Sequence, residues 1–416
     1  MLQKFIFVLC ILSLSCSALT ACQPVEGGAA SSDPAVSTAA ESSANITPSS
    51  SEPQSSSSQE SSTMNQEPSE DLFADFYPAA EQILSQMTLE EKVGQMFLVR
   101  CPRGDEALKA ITETHIGGFV LFAEDFENQT PDSIREIFSG YQAAAKIPLL
   151  LAVDEEGGSV VRISKFPAFA DTPFPSPQDL YQAGGMEAIA EDTRQKAMLL
   201  QSLGIHLNLA PVADVSVNPE DYIYNRTFGQ PAEETAEYIK VVVTESLKAG
   251  LSCTLKHFPG YGNNRDTHTG VALDSRPWQQ FEQEDLLPFL AGIEAGVPCI
   301  MVSHNIIESV DPSLPASISA TVHEKLRSLG FTGLILTDDL DMDAIKKYSG
   351  TETPALEALK AGNDLIVISD YQQNFQAVLN AVQSEEISEE RIDDSVRRIL
   401  AWKLSAGVIS TTDGDI

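Results

Sequence analysis

The sequence has few cationic residues for its length. Its 416 residues include 26 Lys and Arg against 60 Asp and Glu, which gives a formal net charge of −34 at pH 7. Proteins that bind nucleic acid neutralise its phosphates with cationic side chains, so this composition argues against a nucleic-acid partner. An anionic membrane surface would repel the chain as well, and any attachment to a membrane must therefore be covalent or hydrophobic.

Cysteines and the common nucleotide and metal motifs are also scarce. Six cysteines in a chain of this length cannot form a disulfide scaffold, and no CxxC pair occurs. The sequence contains no GxSxG nucleophile elbow, no phosphate-binding loop, and no set of His, Cys and Glu with the spacing of a metal site. These absences give no support to a serine hydrolase of that type, a nucleotide-binding protein or a metalloenzyme.

The first 22 residues are typical of an export signal. Lys4 precedes an apolar run from Phe5 to about Leu14, which is too short to span a bilayer comfortably. Residues 1–22 end in the sequence LTAC, with Cys22 last, and this ending resembles the lipobox of bacterial lipoproteins. The resemblance implies that Cys22 is lipidated and becomes the mature N-terminus. An ordinary signal peptide with a chance cysteine is the alternative.

Residues 23–70 have the composition of a disordered tether. They contain 15 Ser, no Lys or Arg and no aromatic residue, so they cannot bury enough apolar surface to offset their ordering entropy. A lipid-bearing cysteine followed by a solvated tether is the expected layout of a surface lipoprotein. We therefore expect the folded part to be held at the outer face of the bacterial cytoplasmic membrane, with the lipid as its only membrane contact.

From residue 71 to residue 416, short apolar runs alternate with stretches of helical period. Most of the runs are continuous in Val, Ile and Leu, as expected for parallel strands that are buried on both faces. We predict eight strands, at residues 96–100, 118–122, 148–154, 206–213, 252–258, 299–304, 333–338 and 364–369. Helical stretches between them end at glycine, a common helix C-cap. This alternation predicts one (β/α)8 TIM-type barrel domain over residues 71–416, and an open, doubly wound sheet is the alternative.

The predicted strands end in polar residues. Active sites of such barrels lie at the carboxyl ends of the strands, and polar ends on nearly every strand from the third onward predict a polar pocket there. The residues concerned are Asp154, Asn208, Asp214, Lys256, His257, Ser303, His304, Asp338, Asp339, Ser369 and Asp370.

One dense group of functional side chains lies in residues 256–268, KHFPGYGNNRDTH. Lys256 and His257, at a strand end, can direct two hydrogen-bonding groups into the barrel mouth. Asp266 and His268 follow on the loop at i and i+2, where a carboxylate can orient an imidazole and raise its basicity. This pair is a candidate general acid/base, and the alternative is a polar surface loop with an incidental histidine.

The second group lies in residues 333–342, GLILTDDLDM. Asp338 directly follows an apolar strand, so its carboxylate could be a nucleophile or a metal ligand. The alternative role is that of a helix N-cap, which suits Asp339. His304, at the end of another strand, is the nearest additional metal-ligand candidate, and alone it is weak support.

Five motifs together resemble glycoside hydrolase family 3, in its bacterial β-N-acetylglucosaminidase branch. Besides the two groups above, they are DEEGGSVVR, LAPVADV and NRTFG, at residues 154–162, 209–215 and 225–229. The resemblance extends over the whole barrel and implies that no metal or organic cofactor is needed. Many relatives carry a second α/β sandwich domain that supplies the acid/base carboxylate. This chain ends just after the barrel, so we expect a single catalytic domain that uses a loop histidine, as that branch does.

The resemblance implies roles for individual residues. In the family's pattern the first carboxylate of the TDD motif is the nucleophile, which falls on Asp338. The histidine of the loop after the fifth strand is the acid/base and the nearby aspartate its partner, which gives His268 and Asp266. The resemblance also implies that Asp154, Arg162, Arg226, Lys256 and His257 contact the sugar.

The same loop departs from the family's pattern in four positions. Tyr261 stands where many relatives have a second histidine, Asn263 and Asn264 replace an Asp-Thr pair, and Arg265 adds a cation beside the acid/base pair. These differences leave the behaviour of the loop and the fine specificity open.

The resemblance implies a monomeric, retaining β-N-acetylhexosaminidase that removes terminal β-linked N-acetylglucosamine from peptidoglycan-derived fragments such as muropeptides. Another β-glycosidase of the family, such as a β-glucosidase, and a non-catalytic sugar-binding lipoprotein are the alternatives. Phosphorolysis is a further possibility, because a neutral His268 would not repel a phosphate acceptor as a carboxylate would. Arg265 could attract such an acceptor.

The lipobox and tether generate a first testable prediction. Cys22→Ser removes the thiol that would carry the lipid, so the variant should be released from membranes or should keep its signal uncleaved. Fractionation of cells and labelling with a radioactive fatty acid measure both effects. The assignment of Cys22 would be contradicted if Cys22→Ser associated with membranes as the unmodified chain does and if the unmodified chain incorporated no fatty acid.

Overall fold

The computed structural model describes residues 71–264, 272–342, 345 and 353–410. The predicted signal sequence and tether, residues 1–70, lie outside the described residues. So do residues 265–271, which include Asp266 and His268.

The strands of the described chain are short. They are β1 (Phe97–Arg100), β2 (Gly118–Leu121), β3 (Leu150–Val153), β4 (Leu207–Asn208), β5 (Ser252–Phe258), β6 (Leu273–Asp274), β7 (Cys299–Val302), β8 (Ile306–Ile307), β9 (Leu334–Thr337) and β10 (Ile366–Ile368).

Eight of these strands form a parallel barrel in the order β10-β1-β2-β3-β4-β5-β7-β9. A bridge between Leu336 and Leu365 joins β9 to the chain just before β10, which closes the cylinder. The predicted TIM-type barrel is confirmed, and the alternative of an open, doubly wound sheet is wrong. All eight strands are buried along almost their whole length, which explains their continuous apolar sequences.

Helices cover the outside of the barrel, as expected when both faces of a parallel sheet must be buried. They are α1 (Tyr77–Leu84), α2 (Leu89–Gln95), α3 (Asp105–Glu113), α4 (Ala123–Phe126), α5 (Pro131–Ala144), α6 (Pro177–Ser202), α7 (Ala232–Lys248), α8 (Trp278–Gln283), α9 (Leu286–Glu294), α10 (Ala320–Ser328), α11 (Pro354–Ala361), α12 (Tyr371–Gln383) and α13 (Glu389–Ser405). In the described residues, no helix combines the length and the apolar composition needed to cross a membrane.

Several predicted strands are too long at their carboxyl ends. The fourth was predicted over residues 206–213, but regular pairing is limited to Leu207–Asn208. Pro211 has no N–H to donate to a ladder, and only a bridge between Val212 and Lys256 resumes the pairing. Most of the polar residues at these ends belong to loops, whereas Asn208, Lys256 and His257 lie within β4 and β5, near their carboxyl ends.

Two features of the fold were missed from the sequence. Helix α6 contains an interruption at Gly184 and Gly185, whose φ and ψ angles are not helical, and no such interruption was predicted. The pair β6 and β8 forms a separate parallel sheet beyond the ends of β5 and β7. Each of these two strands has only two residues, too few for a recognisable periodicity.

The opposite end of the barrel contains a buried lysine without a carboxylate partner among the described residues. Lys403, on α13, is 1% exposed. Its ammonium donates to Gln95 Oε1 at 2.8 Å and to the backbone carbonyls of Gly117 at 2.8 Å and Pro148 at 2.9 Å. The two carbonyls lie just before β2 and β3, so Lys403 ties the strand starts to the last helix. Burial lowers the pKa of Lys403 to about 7.

We predict that Lys403 makes the free energy of unfolding increase with pH between pH 7 and 10. The unfolded chain binds the proton with a pKa of about 10.4, so between pH 7 and 10 it holds more protons at this site than the folded chain. Stability should therefore rise with pH over that interval. The free energy of unfolding of the unmodified chain, relative to Lys403→Met, should increase by up to about 1.4 kcal/mol per pH unit.

Urea denaturation at several pH values measures this difference. Lys248→Met, at an exposed position on α7, is the matched control and should show no such trend. A difference between the unmodified chain and Lys403→Met that stays constant from pH 7 to 9.5 would contradict the prediction.

Candidate active site

Lys256, at the end of β5, occupies the centre of the polar cluster at the barrel mouth. Its side chain is 3% exposed, and its Nζ lies 2.6 Å from Asp154 Oδ1 and 2.7 Å from Glu156 Oε1. Both carboxylates follow β3, so the lysine joins the ends of two strands. Burial would lower the pKa of Lys256, but the charges of Asp154 and Glu156 outweigh it and raise that pKa.

Arg226 completes this cluster from the loop after β4. It donates from Nε to Glu156 Oε2 at 3.0 Å and from Nη2 to Glu156 Oε1 at 2.7 Å, a bidentate pair. Burial alone would raise the pKa of Glu156, but Arg226 and Lys256 hold it well below its usual range. Glu156 was not predicted as a site residue. Its position in the DEEGG sequence, two residues after Asp154, was the available signal.

His257 is oriented by a second carboxylate that the prediction did not include among the site residues. Asp214, fully buried after β4, accepts a hydrogen bond from His257 Nδ1 at 2.7 Å and one from the His257 backbone N–H at 3.1 Å. Its other oxygen accepts the Tyr261 N–H at 2.7 Å. This arrangement leaves His257 Nε2 directed toward Arg226, whose Nη2 is 3.5 Å away.

The loop that carries Arg162 is held by Glu155. The buried carboxylate of Glu155 accepts the backbone N–H groups of Arg162 at 2.8 Å and Ile163 at 2.9 Å. The Arg162 guanidinium reaches to 4.0 Å from Asp154 Oδ2 and lies 5.2 Å from the centre of the Phe122 ring. Glu155 therefore has a structural function, while its neighbours on both sides in the sequence face the pocket.

Asp338 follows β9 at the same end of the barrel. Its backbone N–H donates to the Val302 carbonyl at 3.1 Å, and its Oδ1 accepts the Asp339 N–H at 2.8 Å. Burial would raise the pKa of Asp338, but its electrostatic interactions with His257, His304 and Lys256, together with the hydrogen bond from the Asp339 N–H, outweigh burial and lower that pKa. Asp338 is therefore an ionised carboxylate near neutral pH.

Asp339 binds a proton more tightly than its neighbour does. Burial, together with the nearby charges of Asp341 and Asp338, raises the pKa of Asp339 to about 6. Its backbone carbonyl accepts a hydrogen bond from His304 Nε2 at 2.9 Å, and His304 Nδ1 lies 2.7 Å from Ser317 Oγ. His304 thus positions the turn that carries both aspartates.

The structure brings the predicted sugar contacts together in one connected cluster: Asp154, Arg162, Arg226, Lys256 and His257. Asp338 lies at the same mouth, close enough for His257 and Lys256 to change its pKa. The roles of Asp338 as nucleophile and of His268 and Asp266 as acid/base pair stay predictions, and the last two lie outside the described residues. Within the described residues, no group of His, Cys, Asp and Glu could hold a metal ion.

The departures from the family's pattern that fall on described residues have structural partners. Tyr261 is buried, and its ring packs edge-on against His257, with 5.5 Å between ring centres. Asn264 donates to Asp274 Oδ2 at 2.8 Å. Asp274 is bound in turn by Arg276, which also reaches Asp285.

Two glycines allow this part of the loop to pack closely. A Cβ on Gly260 would lie 2.4 Å from Asp285 Oδ1, and one on Gly262 would lie 2.5 Å from Arg276 Nη2. Both glycines also have positive φ angles, which favour glycine. The chain just before residue 265 is therefore fixed to the segment that follows residue 271.

The sequence and the fold are similar to those of a known group of enzymes. The family profile "Glycosyl hydrolase family 3 N terminal domain" matches residues 88–402. β-Hexosaminidase A of Pseudoalteromonas piscicida is 30% identical over 336 residues, which cover 72% of this chain and 55% of that protein. The β-hexosaminidase of Xanthomonas axonopodis pv. citri is 32% identical over 306 residues, which cover 72% of this chain and 89% of that protein.

Solved structures give the same result. A family 3 β-N-acetylglucosaminidase from Paenibacillus sp. FPU-7 superposes with a TM-score of 0.72 at 34% identity, covering 79% of this chain and 65% of that one. A β-N-acetylhexosaminidase from Beutenbergia cavernae superposes with a TM-score of 0.68 at 28% identity, covering 76% of this chain and 99% of that one. The chain therefore spans about half to two thirds of some relatives and nearly the full length of others.

We predict that Glu156→Gln strongly destabilises the fold. The substitution keeps the shape but removes one of the two carboxylates that compensate buried Arg226 and Lys256, and breaking such a pair costs about 3–5 kcal/mol. The folded pKa of Glu156 is depressed, so its contribution should be constant above about pH 5 and be lost as the pH falls below about 4.3, its unfolded value.

Urea denaturation of the unmodified chain and the variant between pH 3 and 8 measures both the size and the pH dependence. Glu127→Gln, at an exposed carboxylate, is the control and should change stability by less than about 0.5 kcal/mol. Equal stability of Glu156→Gln and Glu127→Gln at pH 7 would show that the buried cluster does not hold the barrel mouth together.

Proposed function

Because the chain belongs to glycosyl hydrolase family 3, we propose that it is a retaining β-N-acetylhexosaminidase, which removes terminal β-linked N-acetylglucosamine. The observation that carries this proposal is the ionised Asp338 beside a cluster of buried charges, at the end of the barrel where active sites of this architecture lie. The names of the similar proteins support the same activity.

The buried cluster is suited to binding one sugar ring in a fixed orientation. Asp154 can accept hydrogen bonds from hydroxyl groups, while Lys256, Arg226 and Arg162 can donate to hydroxyl and carbonyl oxygens. Each of these groups already has partners in the protein, so it is held in place before a substrate arrives. Such preorganisation means that little side-chain entropy is lost on binding.

In the proposed reaction, Asp338 Oδ attacks the anomeric carbon as the bond to the leaving oxygen breaks. His268 gives a proton to that oxygen, and Asp266 orients the imidazole. The product of this step is a covalent glycosyl ester of Asp338. His268 then takes a proton from water, which attacks the same carbon and releases Asp338, so that two inversions give net retention. The depressed pKa of Asp338 suits a nucleophile that must be ionised.

The natural substrate and the location are further parts of the proposal. The resemblance to the bacterial branch supports peptidoglycan-derived fragments as the source of N-acetylglucosamine. The lipobox ending at Cys22 and the Ser-rich tether support a lipid anchor at the outer face of the cytoplasmic membrane. An enzyme held there would meet such fragments as they leave the cell wall.

Turnover of a chromogenic N-acetylglucosaminide tests the activity. A β-glucosidase would instead prefer the matching glucoside, and a non-catalytic sugar-binding protein would turn over neither. Preference for the glucoside, or lack of turnover of both, would contradict the proposal.

We predict that Asp338→Ala lowers kcat by on the order of 10³-fold or more, because it removes the nucleophile. Asp339→Ala keeps Asp338 in place and should cost far less. Added azide should partly restore turnover of Asp338→Ala, since it can attack the anomeric carbon in place of the carboxylate, and the product should have the inverted configuration. A larger loss in Asp339→Ala than in Asp338→Ala would show that the nucleophile has been misassigned.

A further inference from the structure

His304 and Ser317 form a buried pair beside the turn that follows β9. Both residues are fully buried. His304 Nδ1 lies 2.7 Å from Ser317 Oγ, and His304 Nε2 lies 2.9 Å from the backbone carbonyl oxygen of Asp339. One imidazole ring therefore joins the Ser317 side chain to the backbone of the turn that carries the two aspartates.

The contact with Asp339 determines which nitrogen of His304 carries a proton. A carbonyl oxygen can only accept a hydrogen bond, so Nε2 must be protonated. The hydroxyl group of Ser317 can take either role: it donates to Nδ1 of a neutral ring and accepts from Nδ1–H of a charged one. Ser317 thus keeps Nδ1 hydrogen-bonded in both charge states, while the Nε2–H group stays directed at Asp339.

Ser317 is itself fixed from two sides. Its backbone N–H donates to the Ser303 carbonyl at 2.9 Å, just after β7, and its own carbonyl accepts from Asn363 Nδ2 at 2.8 Å, shortly before β10. The Asn363 amide also donates to the Ala358 carbonyl at 2.8 Å. Because the backbone of Ser317 is tied to the segments that border two strands, its hydroxyl group can hold the His304 ring in one orientation.

The turn after β9 transmits this orientation to Asp338. The Asp339 N–H donates to Asp338 Oδ1 at 2.8 Å, and the Asp338 N–H donates to the Val302 carbonyl at 3.1 Å. The carbonyl that His304 binds and the N–H that orients the Asp338 carboxylate both belong to Asp339. A rotation of the Asp339 backbone would therefore displace the hydrogen bond that orients the proposed nucleophile.

We propose that Ser317 is a positioning residue for the nucleophile, Asp338. Its hydroxyl group fixes the ring of His304, which fixes the backbone of Asp339 and, through it, the Asp338 carboxylate. The proposal rests on the proposed function, in which that carboxylate attacks the anomeric carbon, and small misplacements of a reacting atom lower the rate strongly. The proposed sugar contacts lie on β5 and on the loops after β3 and β4, so alignment of the nucleophile and binding of the sugar can be measured separately.

The first test compares catalysis with binding in Ser317→Ala. This variant leaves Nδ1 of the buried His304 ring without its hydroxyl partner. For a chromogenic N-acetylglucosaminide, kcat/KM should fall about tenfold or more, while the Kd for N-acetylglucosamine should change by less than about twofold.

Ser395→Ala is the matched control for the loss of a buried hydroxyl group. Ser395, on α13, is also fully buried, and its Oγ donates to Asp364 Oδ1 at 2.6 Å, just before the start of β10. This variant should lower the free energy of unfolding in urea at least as much as Ser317→Ala does. Its kcat/KM should equal that of the unmodified chain, because the lost contact is far from the turn after β9.

A double-mutant cycle shows whether Ser317 acts through His304. His304→Gln keeps an amide that can donate to the Asp339 carbonyl, but it has no counterpart of the imidazole Nδ1. Adding Ser317→Ala to His304→Gln should therefore lower kcat/KM by less than about a further twofold. If Ser317 supported the fold independently of His304, its substitution would cost the same factor in both backgrounds.

A third measurement does not depend on turnover. The chain has six histidines, and the nitrogen chemical shifts of isotope-labelled histidine show which ring nitrogen of each is protonated. The signal that disappears in His304→Gln identifies His304. Its Nε2 should be protonated in the unmodified chain, and the Nε2 proton should exchange with water faster in Ser317→Ala than in the unmodified chain.

Three outcomes would overturn the proposal, and they can be told apart. An unprotonated Nε2 in the unmodified chain would show that His304 does not hold the Asp339 backbone. An equal loss of kcat/KM on Ser317→Ala in both backgrounds would show that Ser317 does not act through His304. If the unmodified chain does not turn over the N-acetylglucosaminide, the proposed function fails and the role of Ser317 fails with it, whatever the histidine signals show.

Discussion

The barrel mouth depends on one buried cation, Lys256, and on the carboxylates that compensate it. An ammonium group taken out of water costs several kcal/mol unless it is paired and fully hydrogen-bonded. Asp154 and Glu156 provide that pairing from the end of β3, and Arg226 joins them from the loop after β4. Because each charge needs the others, the ends of β3, β4 and β5 cannot move independently. The ion pairs therefore hold the segments that follow β3, β4 and β5 in fixed positions relative to the strands.

The same charges determine the state of the two adjacent aspartates after β9. Asp338 interacts electrostatically with His257, His304 and Lys256, and these interactions lower its pKa in spite of burial. Asp339 lies beside Asp341 and Asp338, and its pKa rises to about 6. Two carboxyl groups that are neighbours in the sequence therefore differ in affinity for a proton because their surroundings differ. The TDD motif alone does not reveal this difference, which arises from the packing of three other loops.

The sequence predicted the barrel well because its strands are buried on both faces and its helices end at glycine, and both features are local. The residues that the family resemblance gave as sugar contacts lie together in one cluster at the carboxyl ends of the strands, and their contact with a sugar stays a prediction. The sequence did not reveal Glu156 as the shared partner of Arg226 and Lys256, because that contact joins residues 70 and 100 positions apart. Nor did it predict β6 and β8, which have two residues each and pair with one another across more than 30 positions of the sequence.

The small β6–β8 sheet has a consequence for the proposed acid/base pair. Asp266 and His268 belong to a stretch whose two flanking segments are fixed: Asn264 binds Asp274, and Ala272 accepts the Ile306 N–H just before β6. Asp274 is held in turn by Arg276, so the anchor consists of buried charge rather than of loop backbone alone. This chain has Asn263 and Asn264 where many relatives have Asp and Thr. An asparagine amide can donate to Asp274 without adding a charge, so the net charge of the group formed by Asp274, Arg276 and Asp285 stays unchanged.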